Sequence, residues 1–517
     1  MGAVCQPQSK EEAELKRNPD ASVTRLIALP KLPNPHESSL TPADGKHIED
    51  LISRLAEIDG PDAGISPSMT GSTFAPVLGS ERFSMGLLSP QDRKTSAALL
   101  ELVQIGPKAL PLLLKHLDDA TPTKYGISVK GPFPSLMHGR ELDVSEANPV
   151  EMEARKALRS EPPLLPGRPQ TGPRLDAYQV RVGDVCFTII GQIVSRGCLA
   201  VRYQPTAIII INSPVDDPAL ARAVRAIWST DAPRAKVMHS LLQGYCTRAE
   251  YDEIRSRGFH ISTFIQSDAA IRMLYYFPSE TAELVASRLN GLDVLEPAGS
   301  SIRDVTWAYA YDKRELANGL HTWFLIKAVA WCKEPQIASA VESIACRTTD
   351  LQVLTESVQA VISAHRSQQM PRILALLRSS HDPERAVDYN AESVMRKMAE
   401  WWGKDALPVF KEYIRTNDPV MINTACTAMK AGSTDWDRDL LLPLLADTRT
   451  IPHSLHSTLP NFNGPEILER VCDAAADALA GSNPKLEFDL YTAYANQNMQ
   501  IAEIRAKLVP YNEGGPK

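Results

Sequence analysis

The chain has 517 residues, a net charge of −7, 44% hydrophobic and 23% charged residues, and 39 prolines. That length exceeds what one compact core serves, so several domains or one extended array are expected. The composition excludes a chain that stays disordered for want of apolar residues. The acidic balance removes the general attraction to phosphate backbones on which nucleic-acid binders rely, and so argues against nucleic acid as a partner.

Residues 1–40 are polar and punctuated by Pro30, Pro33 and Pro35, and read as a loosely ordered leader. The N-terminus has acids where a secretory signal needs basic residues, and no apolar segment follows. Gln6 departs from the Ser or Thr of the myristoylation pattern that Gly2 would open. The longest strongly apolar stretch, Ala207 to Ile211, falls far short of the roughly 20 residues that cross a bilayer, so no membrane span is expected. Eight cysteines form no CxxC pair and lie mostly within apolar helical patterns. They read as buried thiols of a reducing, cytoplasmic compartment.

The first helix is expected at Thr41 to Asp59. Thr41 serves as cap, Pro42 takes the first helical position, and Ile48, Leu51, Ile52 and Leu55 form one apolar face. A second, from Ser89 and Pro90, should stop at Gly106, a natural helix-ending residue. The stretch ALPLLLKHLDDATP, residues 109–122, follows.

Between about 123 and 175 little helical pattern survives apart from NPVEMEARKALRS, and EPPLLPGRPQTGPR is Pro-rich. A connection of this length is uncommon inside a compact domain and is often functional or disordered. The partner helix of residues 109–122 is then expected at 178–195, where Val182, Val185, Cys186, Ile189, Ile190, Ile193 and Val194 make a wide stripe. Another helix starts at Asp217 and Pro218, and further helical patterns begin at Pro278 and His321. TAIIIIN (206–212) and FHISTFI (259–265) have strand-like composition. Two isolated strands make a marginal sheet, so both are expected to be short helical or extended connectors.

The order of features in residues 109–122 recurs. Proline near a helix start, an apolar face and a Pro-containing turn about eleven residues on reappear at Pro371–Pro383, Pro408–Pro419 and Pro443–Pro452, with the initial prolines 37 and 35 residues apart. Each copy precedes a second helix. Their expected faces are Val394, Met395, Met398 and Trp402; then Met421, Ile422, Ala425 and Met429; then Ile467, Leu468, Val471, Cys472, Ala475 and Leu479. Two short amphipathic helices cannot bury both faces alone, so successive pairs must stack.

In these residues the chain resembles the HEAT-repeat family. The resemblance rests on Ala109, Leu110 and Pro111 with Asp118, on Ala406, Leu407 and Pro408 with Asp418, and on Arg470 with Ala474, Ala475 and Ala476. It covers about residues 370–482 and 95–122, extends to 320–365, and lapses between; DPVMINTACTAM lacks the early arginine of a second helix. It implies an all-α fold, an α-solenoid of HEAT-like helical hairpins, here with a long irregular insertion. The expected parts are the leader (1–40), N-terminal hairpins (41–122), insertion (123–175), central helical region (176–300), aromatic and charged connector (301–319) and C-terminal repeats (320–517).

No GxGxxG, P-loop, HExxH, GxSxG or EF-hand pattern occurs, so no catalytic, cofactor or metal residues are assigned. His453 and His456 have no Cys or acid at ligand spacing and read as solvated loop histidines. Pro163, Pro166 and Pro169 beside Arg168 read as linker, although PxxP strings also dock polyproline-reading domains. Candidate partner-binding residues are Trp307, Tyr309, Tyr311 and Arg314, together with Arg202 and Tyr203, because aromatics beside arginine are common interface anchors. The expected function is a protein-binding scaffold for protein partners. The second class is an enzyme or small-molecule protein on such a scaffold, as in the HEAT-like lyases that handle bilin chromophores.

Overall fold

Thr41 and Pro42 open the first helix as their types dictate. In the computed structural model α1 spans Pro42–Arg54, with a capping box in which Thr41 and Asp44 exchange side-chain and backbone hydrogen bonds. The structure describes residues 29–37, 39–60, 69–70, 74–77, 84–85, 96–128, 135–139, 171–196, 198–203, 208–246, 262–292, 323–381, 387–432, 438–457 and 466–508. Among them helices predominate, and the strands are confined to small sheets, the first pairing β1 (Met69–Thr70) with β2 (Ser84–Met85). The chain divides into two compact units, Met1–Ser287 with Ser300–Ile337, and Arg288–Gly299 with Ala338–Lys517.

In the first unit α1 packs on α2 (Ala97–Ile105), and α3 (Leu110–Lys115) packs on α4 (Val182–Val194). The partner helix expected at 178–195 is therefore α4, and all thirteen of its residues are buried. The start expected at Ser89 lies outside the described residues; the described helix opens at Ala97 with Ser96 as cap. Gly106 ends it at φ 66°, a conformation only glycine adopts without strain. A 3-10 turn, Gly106–Ala109, then leads into α3.

The run Ala97–Lys115 has the length and hydropathy of a bilayer span, yet most of its apolar window is buried and Gly106 interrupts it. That is the position of a core helix. The unit continues with α5 (Pro218–Trp228), α6 (Pro233–Cys246), α7 (Ser262–Tyr276) and α8 (Pro278–Asn290), the last reaching the unit boundary. The leader is docked in part: the Glu37 carboxylate accepts the Arg234 and Ala235 amides at 3.3 and 2.6 Å, capping α6.

The segment 123–175, expected to be irregular, carries strands on both sides of residues 140–170. Strand β3 (Pro122–Ser128) pairs antiparallel with β6 (Ala177–Arg181), and β4 (Ser135–Gly139) with β5 (Thr171–Leu175). Strand β4 also runs parallel to β8 (Ile208–Ile211), which pairs with β7 (Val201–Tyr203), so the sheet order is β5-β4-β8-β7. The expectation that 206–212 is a connector is thus corrected. Its Ile run is an inner strand because the insertion supplies a partner that local pattern does not reveal. The stretch 259–265, expected to be a short helical or extended connector, is helical from Ser262, where it forms the first turn of α7.

The second unit repeats a simpler plan. After α9 (Pro335–Arg347), which opens at the unit boundary, come α10 (Leu351–Ser357), α11 (Ser363–Ser379), α12 (Tyr389–Trp402), α13 (Leu407–Arg415) and α14 (Pro419–Gly432). A short helix, Arg438–Leu441, with a 3-10 turn, Leu442–Ala446, precedes α15 (Val471–Ser482) and α16 (Tyr494–Leu508). The second helices pack in chain order, α10 on α12, α12 on α14 and α14 on α15. One apolar core runs from Ala345 to Leu508 and includes the expected faces Val394, Met395, Met398 and Trp402, and Met421, Ile422, Ala425 and Met429.

Two expectations change here. Pro371 lies inside α11, whose helix begins eight residues earlier at Ser363. Ile467 and Leu468 belong to strand β10 (Glu466–Arg470), which pairs with β9 (Thr450–Ser457), so the third second helix starts only at Val471.

Arginines from the following helix pair take the carbonyls that a helix end leaves without partners. Arg225 Nε donates to Leu114 O at 2.9 Å and Arg372 Nη1 to Ala345 O at 2.9 Å. Arg449 Nη1 donates to Asn417 O at 2.6 Å, where Asn417 turns at φ 65°.

Candidate functional site: the bases of two β-insertions

The sequences GPKALP (106–111) and GKDALP (403–408) build the same local structure. Each has a glycine at positive φ, 66° and 55°, a four-residue 3-10 turn, and a first helix with proline in its first turn. Both units also contain a helix pair opened by an inserted β-ribbon, and the two ribbons leave and return through matching residues.

In the first unit the Asp119 side chain accepts the Thr121 amide at 3.0 Å. The Val182 amide donates to Thr121 O at 2.9 Å and the Gly183 amide to Asp119 O at 3.0 Å. In the second the Asp447 side chain accepts the Arg449 amide at 3.1 Å, Val471 donates to Arg449 O at 3.0 Å, and Cys472 to Asp447 O at 2.9 Å. The strands then pair Pro122 with Arg181 and Thr450 with Arg470. RVGD (181–184) and RVCD (470–473) start the two second helices, and in both the aspartate accepts the arginine amide at 3.0 Å.

The side chains at the two bases then diverge. Asp184 is fully buried and accepts Ser213 Oγ at 2.5 Å and the Tyr178 hydroxyl at 2.7 Å. Burial pushes its carboxyl above the usual range, with those hydrogen bonds pulling the other way. Arg181 Nη2 donates to the Tyr178 hydroxyl at 2.7 Å and pairs with Asp216. Ser213 Oγ also accepts the Val215 and Asp216 amides at 3.2 and 3.3 Å. With both hydroxyl protons directed at Asp184, the group holds the helix entry.

At the second base Arg470 grips Asp473 with two bonds, Nε to Oδ2 at 2.8 Å and Nη2 to Oδ1 at 2.7 Å. It also donates to Asn498 Oδ1 at 3.0 Å and lies 4.3 Å from the Tyr494 ring centre. The Asp473 contact holds the guanidinium above its usual range. A planar fork on a buried carboxylate is strong only when both are fully hydrogen-bonded, as here.

Of the sequence candidates, Arg202 and Tyr203 lie on β7, an edge strand of the four-stranded sheet. Trp307, Tyr309, Tyr311 and Arg314 lie outside the described residues. Pro163, Pro166 and Pro169 do too, while His453 and His456, expected in a loop, lie on β9. Among the described residues no group of three or more His, Cys, Asp or Glu is arranged to hold a metal ion. Among the described cysteines, Cys186, Cys246, Cys332, Cys426 and Cys472 are buried.

Sequence reasoning missed Tyr178, Arg181, Asp184 and Ser213. The repeated RVxD beside a turn aspartate is the signal that finds Arg181 and Asp184, and no sequence signal marks Tyr178 or Ser213. No family model, curated protein or solved structure matches the chain.

Proposed function

We propose that the chain is a protein-binding scaffold of the HEAT-like α-solenoid kind, whose two β-insertions are its partner-contacting elements. The observation that supports this reading is the matching base of the insertions: each helix pair stays closed by the same hydrogen bonds while chain is extruded between its helices. A helix pair needs only a short turn, so a long excursion on a rigid frame is where binding is commonly carried. Arg202 and Tyr203 on β7 belong to the sheet that β4 and β5 of the first excursion complete and are proposed as part of its contact surface. The buried polar groups at both bases act as helix caps, which favours the scaffold over an enzyme on the same frame.

The test uses the intact chain and a variant in which residues 140–170 are replaced by Asn-Gly. Gly139 and Thr171 are paired, so a two-residue turn can join them. Affinity capture from native lysate is expected to recover a protein that the variant loses while its melting temperature is kept. Recovery of no protein by either, with binding of a metabolite instead, overturns the scaffold reading.

A further inference from the structure

In the first unit one short segment is held in a way that differs from ordinary loop packing. Phe74 is 1% exposed, and its ring meets Tyr275 at 5.2 Å and Tyr276 at 5.7 Å, both edge-on at 83° and 84°. The guanidinium of Arg272, itself 1% exposed, lies 4.8 Å from the centre of the Phe74 ring. Two tyrosine rings and one cation thus frame a single aromatic side chain.

The frame is built from α4 and α7 and is itself tied down. Arg272 Nε donates to the Gln192 carbonyl, and Nη1 to Asp268 O at 2.9 Å. The Tyr276 hydroxyl donates to Val103 O at 2.5 Å. Gln192 also reads the occupant's backbone: its side-chain Oε1 accepts the Ala75 amide at 3.0 Å. The occupant turns back on itself, with the Val77 amide donating to Phe74 O at 3.0 Å. An aromatic anchor in a box and one backbone amide bound by a buried carboxamide together form a peptide-recognition arrangement.

The occupant lies between two short strands that pair antiparallel, Met69 with Met85 and Thr70 with Ser84. Its sequence is rich in Gly, Ser and Pro around Phe74. We infer that the Phe74 box is a peptide-binding site which the chain fills with its own residues 74–77. From a partner it takes a segment of the same chemistry, an aromatic residue followed by a small residue and proline. This inference rests on the scaffold reading and names the partner class for one site within it.

A tethered occupant acts at an effective concentration near the millimolar range, so removing its anchor should reveal the site. The probe is a fluorescein-labelled peptide of residues 71–80, GSTFAPVLGS, titrated into the full chain and read by anisotropy. Phe74→Ala protein is expected to bind it saturably and at least tenfold more tightly than the unsubstituted protein. A probe with alanine in place of its phenylalanine should not bind, and adding Gln192→Ala to the Phe74→Ala protein should weaken binding about tenfold.

A folded Phe74→Ala protein, with unchanged circular dichroism, that binds no better than the unsubstituted one overturns the inference. If that variant does not fold, Phe74→Leu takes its place, and the peptide should then raise its melting temperature by several degrees; no rise overturns the inference equally. Partner capture by the intact chain without peptide binding sinks only the box. Peptide binding without any captured partner sinks only the scaffold reading.

Discussion

Asp119 and Gly183, separated by the whole first insertion, are joined by a 3.0 Å hydrogen bond from the Gly183 amide to the Asp119 carbonyl. Cys472 and Asp447 make the same bond at 2.9 Å across the second. The insertions are thus additions to a turn that remains closed. Gly183 also sits so close to the Leu117 carbonyl and the Val215 side chain that a β-carbon there would collide with both. That local crowding explains the glycine, since the matching position of the second base carries Cys472 with the same closing bond.

If each turn closes by itself, the second ribbon can be shortened without unfolding its unit. Ser457 and Glu466 are paired, so residues 458–465 can give way to Asn-Gly. The urea midpoint should then shift by no more than about 1 kcal/mol in stability. A loss of cooperativity would show that the ribbon belongs to the core.

The two glycines at positive φ separate conformational strain from crowding. Gly403 has open space where a β-carbon would lie, whereas a β-carbon on Gly106 would overlap the Tyr276 ring. Gly403→Ala should cost about 1–3 kcal/mol from backbone strain alone. Gly106→Ala should cost distinctly more, and it should also disturb the Tyr276 bond to Val103. Urea unfolding of both variants checks the order.

Arg470 and Asp473 form a buried pair whose partners are worth most together. Asp473→Ala leaves a guanidinium without its carboxylate and removes the helix cap, so a loss of about 3–5 kcal/mol is expected. Arg470→Met combined with Asp473→Ala should lose less than the sum of the single changes. Additive losses in a double-mutant cycle would deny the coupling.

Acid should act on the base of the first insertion. Lys115 donates to Glu49 at 2.9 Å, and His116 stands between Glu49 at 2.7 Å and Asp119 at 3.0 Å. Lys115 first, then His116, hold the Glu49 carboxyl below its usual range. Burial raises Asp119, yet the bonds from Thr121 and His116 leave it below its usual range. A carboxyl depressed in the folded state contributes stability that is present above its unfolded value near ~4 and is lost as pH falls through the folded value. Below about pH 5 the unsubstituted protein should therefore lose stability more steeply than a Glu49→Gln, Asp119→Asn variant. Urea titrations from pH 5 to pH 2.5 with equal slopes would refute this.

Much of the helical frame was legible in the residues alone. Thr41 and Pro42, Asp217 and Pro218, and Gly106 mark their helix ends through bonds and dihedrals local to a few residues. The stripe on α4 and the faces of α12 and α14 were readable because helical periodicity reports burial directly. The partnership of residues 109–122 with α4 followed from the same stripe, even across the insertion.

Only the tertiary structure decided that Ile208–Ile211 is an inner strand, since its hydrogen-bonding neighbours come from distant chain with no matching local pattern. Likewise Ser213 and Tyr178 are unremarkable polar residues in the sequence, and Phe74 one aromatic in a Gly- and Ser-rich stretch. Their roles arise from what folding places around them: burial that raises a carboxyl, hydroxyls aimed at it, and two tyrosines with an arginine around one ring. Local backbone preference is encoded over a few residues, whereas burial and pairing are properties of contacts that the linear order does not contain.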